Sequence, residues 1–294
     1  MIERHLMKLR ARDVISAEEE AAIRASVTAV RTIPADSVIV PAHERVGVCN
    51  ILLSGLACRA KDLEDGRRQI TELHVAGDYM DLHSFTLKKL DHEVLALSPC
   101  TVAIIPHERV EAITETFPHL TRVYWFATNL DAAIHREWEV SLGRRNAVES
   151  MAHLFCELHV RLGLVGLVEA DSYELGLTQG ELAECLGMTS VHANRTLKEL
   201  RLAGLADRLA GFGGDLSGIS LEIVPDAVGG TFQDFRATMA RHVAGQDGPA
   251  TGPVQQHPGI GCRSLCDGTD GQAGKRVADG DVGGCERRDG VHHR

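Results

Sequence analysis

Side chains able to bind nucleic acid through hydrogen bonds are concentrated in one short part of the sequence, between positions 178 and 201. Arg195 can donate two hydrogen bonds to guanine O6 and N7, and Asn194 can pair with adenine N6 and N7. The other candidates for contact with DNA are Thr178, Ser190, Val191, His192, Lys198 and Arg201. Lys198, Arg201 and the hydroxyl of Thr178 are better placed for backbone phosphates. These residue types predict a surface that reads DNA.

Two short helices joined by a tight turn are predicted to position these side chains. Thr178 and Glu181 have the spacing of a capping box at the start of the first helix. Gly187 permits a left-handed turn, after which Thr189 or Ser190 caps the second helix. The inner positions are apolar: Leu182, Leu186, Ala193, Leu197 and Leu200. This pattern is typical of a helix-turn-helix, whose second helix enters the major groove; a helical hairpin that only packs is the competing interpretation.

The charge balance confines any nucleic-acid surface to a small area. The 294 residues include 31 Lys and Arg against 41 Asp and Glu, a formal charge of -10. Non-specific affinity for nucleic acid comes mainly from basic residues that neutralise phosphates, so diffuse binding is excluded. Between Leu186 and Arg208, however, four basic residues face two acidic ones, a local charge of +2.

Short strands are predicted before these helices. Apolar and β-branched runs cover 38–40, 50–53, 57–60, 70–73, 94–97 and 101–105. Asp65-Gly66 is a strong hairpin signal because the turn requires positive φ, and Ala76-Gly77-Asp78 marks a second reversal. Six or more short strands at this spacing predict an antiparallel roll or barrel.

The period of apolar residues then changes from two to 3.6. A short helix is predicted over 108–116, stopped by Pro118, and a longer helix follows to about Leu142. The longer helix has an apolar stripe: Leu120, Val123, Ala127, Leu130, Ile134 and Trp138. Such a stripe could pair with its copy in a symmetric dimer. The alternative is that it packs on the chain's own barrel.

Over about 16–225 the chain resembles the Crp/Fnr superfamily of bacterial transcription factors, named after the cyclic AMP receptor protein and the fumarate-nitrate reductase regulator. The resemblance rests on the stretch ILLSGLACRAKDLEDGRRQITELHVAGDYMDLHSF, with glycines at Gly55, Gly66 and Gly77, and on the two helical motifs after it. It implies an α+β fold with a cyclic-nucleotide-binding-like antiparallel β-roll, a long dimerisation helix and a C-terminal winged helix-turn-helix.

The resemblance also divides the chain and assigns partners. It implies a β-roll sensor domain with an N-terminal helix (1–116), a dimerisation helix and hinge (117–143) and a winged helix-turn-helix (144–228). A disordered or aberrant tail (229–294) follows, and its last 50 residues contain 12 Gly. The implied partners are an inverted-repeat DNA operator, a second copy of the chain and RNA polymerase. Arg195 matches the family's most common base-reading arginine, and Val191 replaces a usual glutamate.

The match is weaker in the region that binds the effector in cyclic-nucleotide-binding relatives. The expected Gly-Glu and Arg-Ser pairs are missing from 81–93, so no arginine is expected to face a phosphate, and the carboxylates there would repel one. The effector is therefore expected to differ from conventionally bound cyclic AMP. The candidate effector pocket consists of Asp81, Leu82, His83, Ser84 and His92.

The sequence does not identify a cofactor. His74, His83 and His92 lie near Asp81 and could ligate haem or a divalent metal, but solvated loop histidines are the favoured interpretation, so no metal is assigned. The sequence has no cysteine before Cys49, which argues against the N-terminal iron-sulfur cluster of the oxygen sensors. The other cysteines are expected to be reduced thiols.

The remaining expectations concern location and class. No run of eighteen apolar residues occurs and the first residues lack the apolar core of a secretory signal, so we expect a cytoplasmic protein without a membrane span. An enzyme is disfavoured because no Ser-His-Asp, P-loop or paired-metal pattern is present. The competing class is a ligand- or metal-sensing signalling protein with impaired or no DNA binding.

Overall fold

The computed structural model describes residues 1–169 and 172–202, together with the backbone of two short strands at 206–207 and 220–223. Two helices open the chain, α1 at Glu3–Arg12 and α2 at Ala17–Ser26. Ser16 caps α2, and its side chain and that of Glu19 form a reciprocal capping box. This arrangement satisfies two backbone N–H groups that a helix start would otherwise leave without acceptors.

Seven strands follow and form two antiparallel sheets. They are β1 (Ala29–Ile33), β2 (Ser37–Val40), β3 (Val48–Ser54), β4 (Ala57–Asp62), β5 (Arg68–His74), β6 (Glu93–Ala96) and β7 (Cys100–Pro106). One sheet has the order β1-β7-β3 and the other β2-β6-β4-β5. The predicted antiparallel roll is confirmed. The first strand had no clear signal, because four of its five residues are exposed and it carries no apolar alternation.

Glycines make both predicted reversals of the roll. Gly66 has φ +81° in the hairpin between β4 and β5, and Gly77 has φ +98°. A Cβ at Gly77 would lie 2.8 Å from the carbonyl oxygen of Arg4, so a side chain there would clash with α1 as well as strain the backbone. The turn at Gly77 thereby lets α1 lie directly against the roll.

Helices follow the roll as predicted. After the one-turn α3 (Ser84–Leu87), α4 covers His107–Thr116, α5 Pro118–Gly143 and α6 Ala147–Gly163. Pro118 occupies the first turn of α5, where its missing N–H costs nothing. Asn146 and Glu149 form the capping box that begins α6, so the chain changes direction at the predicted hinge around Arg144.

The apolar stripe of α5 packs inside its own chain. Leu120 and Val123 belong to a core formed with α1, β3 and β7, whereas Ile134 and Trp138 belong to a core shared with β4, β5 and α6. All four are less than 7% exposed. Ala127 and Leu130 pack on the same two cores. These contacts are those of the alternative interpretation, in which the stripe packs on its own chain; Ala127 and Leu130 stay half-buried.

The last part described carries the helix-turn-helix. It comprises β8 (Ser172–Glu174), α7 (Gln179–Cys185), α8 (Ser190–Leu202), β9 (Ala206–Asp207) and β10 (Ser220–Ile223). The strand β10 lies between β8 and β9 in an antiparallel sheet. A hairpin of β9 and β10 after α8 has the connectivity of a wing. The predicted disordered or aberrant tail lies outside the described residues.

Within the part of the chain that the structure describes, no helix is long and apolar enough to cross a membrane.

Candidate functional site

The two helices of the helix-turn-helix begin and turn as the sequence predicts. The Thr178 hydroxyl accepts from the backbone N–H of Glu181 at 3.2 Å, and the Glu181 carboxylate accepts from the N–H of Thr178 at 2.6 Å. Gly187 has φ +61° in the turn. Thr189 caps α8, since its hydroxyl accepts from the N–H of His192 at 3.2 Å. Ala193, Leu197 and Leu200 are buried as predicted.

The opposite face of α8 is exposed and carries four of the eight predicted DNA-binding residues. Ser190 and Lys198 are exposed, the Arg195 side chain is 69% exposed, and Val191 is 82% exposed. A valine side chain exposed at the start of a helix is unfavourable in free energy, because its apolar surface is in contact with water, unless a partner covers it. This face therefore combines a cation, small polar groups and one apolar contact, which is the set of contacts needed for base edges in a major groove.

Two other predicted residues are partly held within the domain. The amide of Asn194 donates to Oε1 of Gln179 at 3.2 Å, and His192 is half-buried. Sequence reasoning did not single out Gln179, the first residue of α7. Arg201 is half-buried, whereas Lys198 is exposed.

The roll and the helix-turn-helix are joined by a polar contact. The Gln69 amide, on β5, donates to the carbonyl oxygens of Glu184 at 2.7 Å and Cys185 at 3.4 Å. These carbonyls belong to the last turn of α7, whose acceptors have no partner within the helix. The hydrophobic core around them is continuous from β4 and β5 to α6, α7 and α8.

A buried network of charges joins α6 to the roll. Arg161 donates to the carbonyl oxygen of Leu73 at 2.7 Å, to the Asp78 carboxylate at 2.9 Å and to that of Glu157 at 2.6 Å. The indole of Trp138 donates to Glu157 at 2.7 Å. Both acidic partners and Arg161 are less than 8% exposed, so these contacts are shielded from water.

An arginine that sequence reasoning did not anticipate lies between the roll and α5. Arg59, on β4, is 4% exposed and forms ion pairs with Glu72 and, at 3.2 Å, with Asp131. Its guanidinium also donates to the carbonyl oxygen of Met80 at 2.8 and 2.9 Å. The expectation that no arginine faces a phosphate was drawn from 81–93 alone and did not consider Arg59. Its charge is nevertheless engaged by two carboxylates.

The five residues predicted as an effector pocket do not line one cavity. Asp81 is fully buried and accepts from the N–H and the amide of Asn50 at 2.6 and 2.7 Å. Burial raises its pKa to about 7. Ser84 is buried against His107, 3.1 Å from its Nε2, and Leu82 packs in the core beside α1. These side chains hold the roll together.

The two remaining residues of that set meet. Nε2 of His83 lies 3.4 Å from Nε2 of His92, and burial lowers the pKa of His83 to about 3. Asp91 lies 3.1 Å from Nδ1 of His92. His74 is completely buried on β5, so its interpretation as a solvated loop histidine is wrong, whereas His83 and His92 are half-buried outside the strands. The described residues contain no group of three or more His, Cys, Asp or Glu side chains arranged to hold a metal ion.

The cysteines in the described part are buried thiols. Burial raises the pKa of Cys49 and of Cys58 to about 12 and that of Cys100 to about 11. A thiol with a raised pKa is a poor nucleophile and a poor metal ligand, because both roles require the thiolate.

The folds of both halves define a class of protein: a sensor roll followed by a DNA-binding helix-turn-helix. Family models match the same two regions, a cyclic nucleotide-binding domain over residues 30–117 and a Crp-like helix-turn-helix domain over 149–213. The transcriptional activator protein FnrL of Cereibacter sphaeroides is 26% identical over 192 residues, which cover 64% of this chain and 76% of the relative. Electron transport regulator A of Shewanella oneidensis is 26% identical over 144 residues, covering 49% and 57% respectively.

The chain therefore belongs to the Crp/Fnr family of transcriptional regulators. The solved structure of FixK2 from Bradyrhizobium japonicum supports the fold, with a TM-score of 0.58 at 22% identity over 67% of this chain and 92% of that one. The predicted family, fold class and DNA-binding regulatory function are confirmed.

Proposed function

We propose that this regulator acts as a homodimer that reads an inverted-repeat operator through α8. The observation that supports this most directly is the exposed face of α8, where Arg195 and Val191 stand clear of the chain's own core. Arg195 reads a guanine, Asn194 and Ser190 contact neighbouring bases, and Lys198 with Thr178 holds phosphates. Two such helices related by a two-fold axis enter successive major grooves about 34 Å apart.

The dimer uses the outer side of α5. Because the predicted stripe is taken up by the chain's own cores, the seam falls on the face that carries Trp125, which is 68% exposed. Tryptophan is enriched at protein interfaces, where its large apolar surface is covered by a partner. We expect Trp125→Glu to convert the dimer to a monomer in sedimentation equilibrium, whereas Leu142→Glu, another exposed apolar position on α5, leaves the dimer intact.

The effector differs from conventionally bound cyclic AMP. A cyclic phosphate needs an uncommitted arginine, but Arg59 is already bound to Glu72 and Asp131. Asp81 is likewise committed to Asn50. In calorimetry we expect cyclic AMP to give no saturable heat at concentrations up to about 1 mM, where a site of only 4 kcal/mol would be half filled.

The domain boundaries at about 116, 143 and 228 follow from the same assignment, as do a cytoplasmic location, contact with RNA polymerase and a regulatory rather than enzymatic role.

Selection of binding sites from random DNA tests the proposal. The full chain should enrich an inverted repeat, and its affinity should fall with salt because phosphate contacts release counterions. Arg195→Ala should weaken binding to the selected site by about 1 to 3 kcal/mol and relax the preference at one base pair of each half-site. The matched control is Arg109→Ala, an exposed arginine on α4, outside the helix-turn-helix.

Failure to enrich any palindrome would instead support the competing class, a sensor protein without DNA binding. Enrichment with an unchanged preference in Arg195→Ala would keep the DNA-binding function and refute the role given to Arg195.

A further inference from the structure

A small cavity lies between α1, the turn at Gly77 and the first half of α5. Its volume is about 90 Å³. A water molecule takes up about 30 Å³ in the liquid, so this cavity has room for about three waters or for a small organic group. The apolar part of its wall is formed by Leu9, Leu82, Val123, Ala127 and Leu130. The cavity is distinct from the region around Arg59, which does not line it.

Buried polar groups without sufficient partners line the same cavity. His5 is 4% exposed and donates from Nδ1 to the Gly77 carbonyl oxygen at 2.8 Å, which leaves Nε2 as an unused acceptor. Tyr79 and Tyr124 are 8% and 4% exposed, and neither hydroxyl has a partner outside this pair among the described residues. Even if one phenol donates to the other, one hydroxyl proton lacks an acceptor.

The three rings form a polar chain that ends in the cavity. His5 and Tyr79 pack edge to face with centroids 5.0 Å apart, and Tyr79 and Tyr124 do the same at 5.6 Å. Buried polar groups in native proteins are almost always hydrogen-bonded to protein, water or ligand. Three such atoms around one cavity therefore point to an occupant that completes them.

A cation without a carboxylate partner stands beside these rings. The guanidinium of Arg12 lies over the Phe126 ring at 4.5 Å, and its buried Nε has no acceptor among the described residues. The two carboxylates that also line the cavity are already paired, Asp78 with Lys8 and Arg161, and Asp131 with Arg59. Arg12 is thus the charge left to meet an anion.

We propose that this cavity binds a small organic carboxylate with an apolar body. The unused groups are at least two donors, Arg12 Nε–H and a tyrosine hydroxyl, against one acceptor, Nε2 of His5. A carboxylate offers two acceptor oxygens and suits a guanidinium in geometry and charge. The leucine and valine walls cover the rest of the molecule. Ligand binding at this site does not depend on DNA binding, so it is measured in the absence of DNA.

Benzoate tests the charge, because benzamide is a neutral molecule of the same shape. In calorimetry on the full chain we expect saturable benzoate binding that is about tenfold or more tighter than benzamide binding, the effect of one charge-assisted hydrogen bond. Equal binding of the two would show that no cation in the site recognises the carboxylate, and no binding of either would show that water fills the cavity; each result would overturn the proposal.

Variants locate the binding. Arg12→Gln and Tyr124→Phe should each weaken benzoate binding about tenfold, since each removes one donor from the site. The matched controls are Arg10→Gln, on the same helix but paired with Glu3 and Glu20, and Tyr173→Phe, whose hydroxyl donates to the Phe155 carbonyl oxygen far from the cavity. Both controls should bind as the parent does. If Arg12→Gln and Tyr124→Phe both bind benzoate as tightly as the parent does, the assignment of binding to this cavity is wrong.

Discussion

The charge network around Arg161 makes a stability prediction that can be worked out contact by contact. Its guanidinium makes three charge-assisted or carbonyl hydrogen bonds, to Leu73, Asp78 and Glu157, at 2.6–2.9 Å. At about 1.5–3 kcal/mol for each bond to a charged group, these contacts favour folding by several kcal/mol. Dehydrating a guanidinium that is 3% exposed offsets several kcal/mol of that gain.

Arg161→Met should therefore lower the free energy of unfolding by about 3–5 kcal/mol, the cost of removing one partner from a buried pair. Most of this loss reflects the carboxylate of Glu157, which would keep only the indole of Trp138 as a hydrogen-bond partner. In the double variant Arg161→Met/Glu157→Gln the unpaired charge is gone, and we expect about 1–3 kcal/mol to be recovered.

Urea unfolding of the full chain, followed by circular dichroism, measures these differences by linear extrapolation. The matched control is Arg24→Met, which breaks an ion pair with Glu3 between side chains that are 42% and 52% exposed and should cost at most about 1 kcal/mol. The reasoning fails if Arg161→Met costs no more than the control. It also fails if Glu157→Gln recovers nothing in the Arg161→Met background, because the two side chains would then be uncoupled.

Three further outcomes are expected. Lys198→Ala should reduce the slope of log affinity against log salt by about 1 and leave the selected base sequence unchanged, as competition between operators at several salt concentrations will show. If Val191 covers a thymine methyl, replacing that thymine by uracil should cost the parent about 0.8 kcal/mol and Val191→Ala much less, in fluorescence-anisotropy titrations. Burial raises the pKa of Asp81 to about 7, above its value in the unfolded chain. As pH rises from about 4 to 7, Asp81 therefore ionises in the unfolded chain before it does in the folded chain, and the free energy of unfolding falls. Asp81→Asn should flatten that fall in urea unfolding; an unchanged slope excludes Asp81 as the titrating group.

Local signals in the sequence were sufficient for the helix-turn-helix. The capping box at Thr178, the positive φ of Gly187 and the cap at Thr189 all depend on residues within a few positions of one another. Their hydrogen bonds form within a single turn, so residue type and spacing determine them. The same holds for Gly66 and Gly77, where only glycine adopts the required backbone at little cost.

The residues that each helix face contacts, by contrast, depend on the tertiary packing. The stripe that contains Ile134 and Trp138 is equally suited to a second helix or to the chain's own roll, because apolar contact has no direction. The prediction that the five effector residues form one pocket was wrong for a related reason. Asp81 and Ser84 are neighbours of His83 in sequence, but the one-turn helix there sends them into the core, toward Asn50 and His107.

The sequence by itself determined the family, the order of roll, long helix and helix-turn-helix, and the exposed residues of α8, because these follow from local capping, turn chemistry and apolar period. Only the tertiary structure decided what fills the space between roll and helices. Arg59 meets Asp131 across 72 positions and Arg161 meets Asp78 across 83. Contacts of that range depend on how strands and helices pack, and no local spacing encodes them.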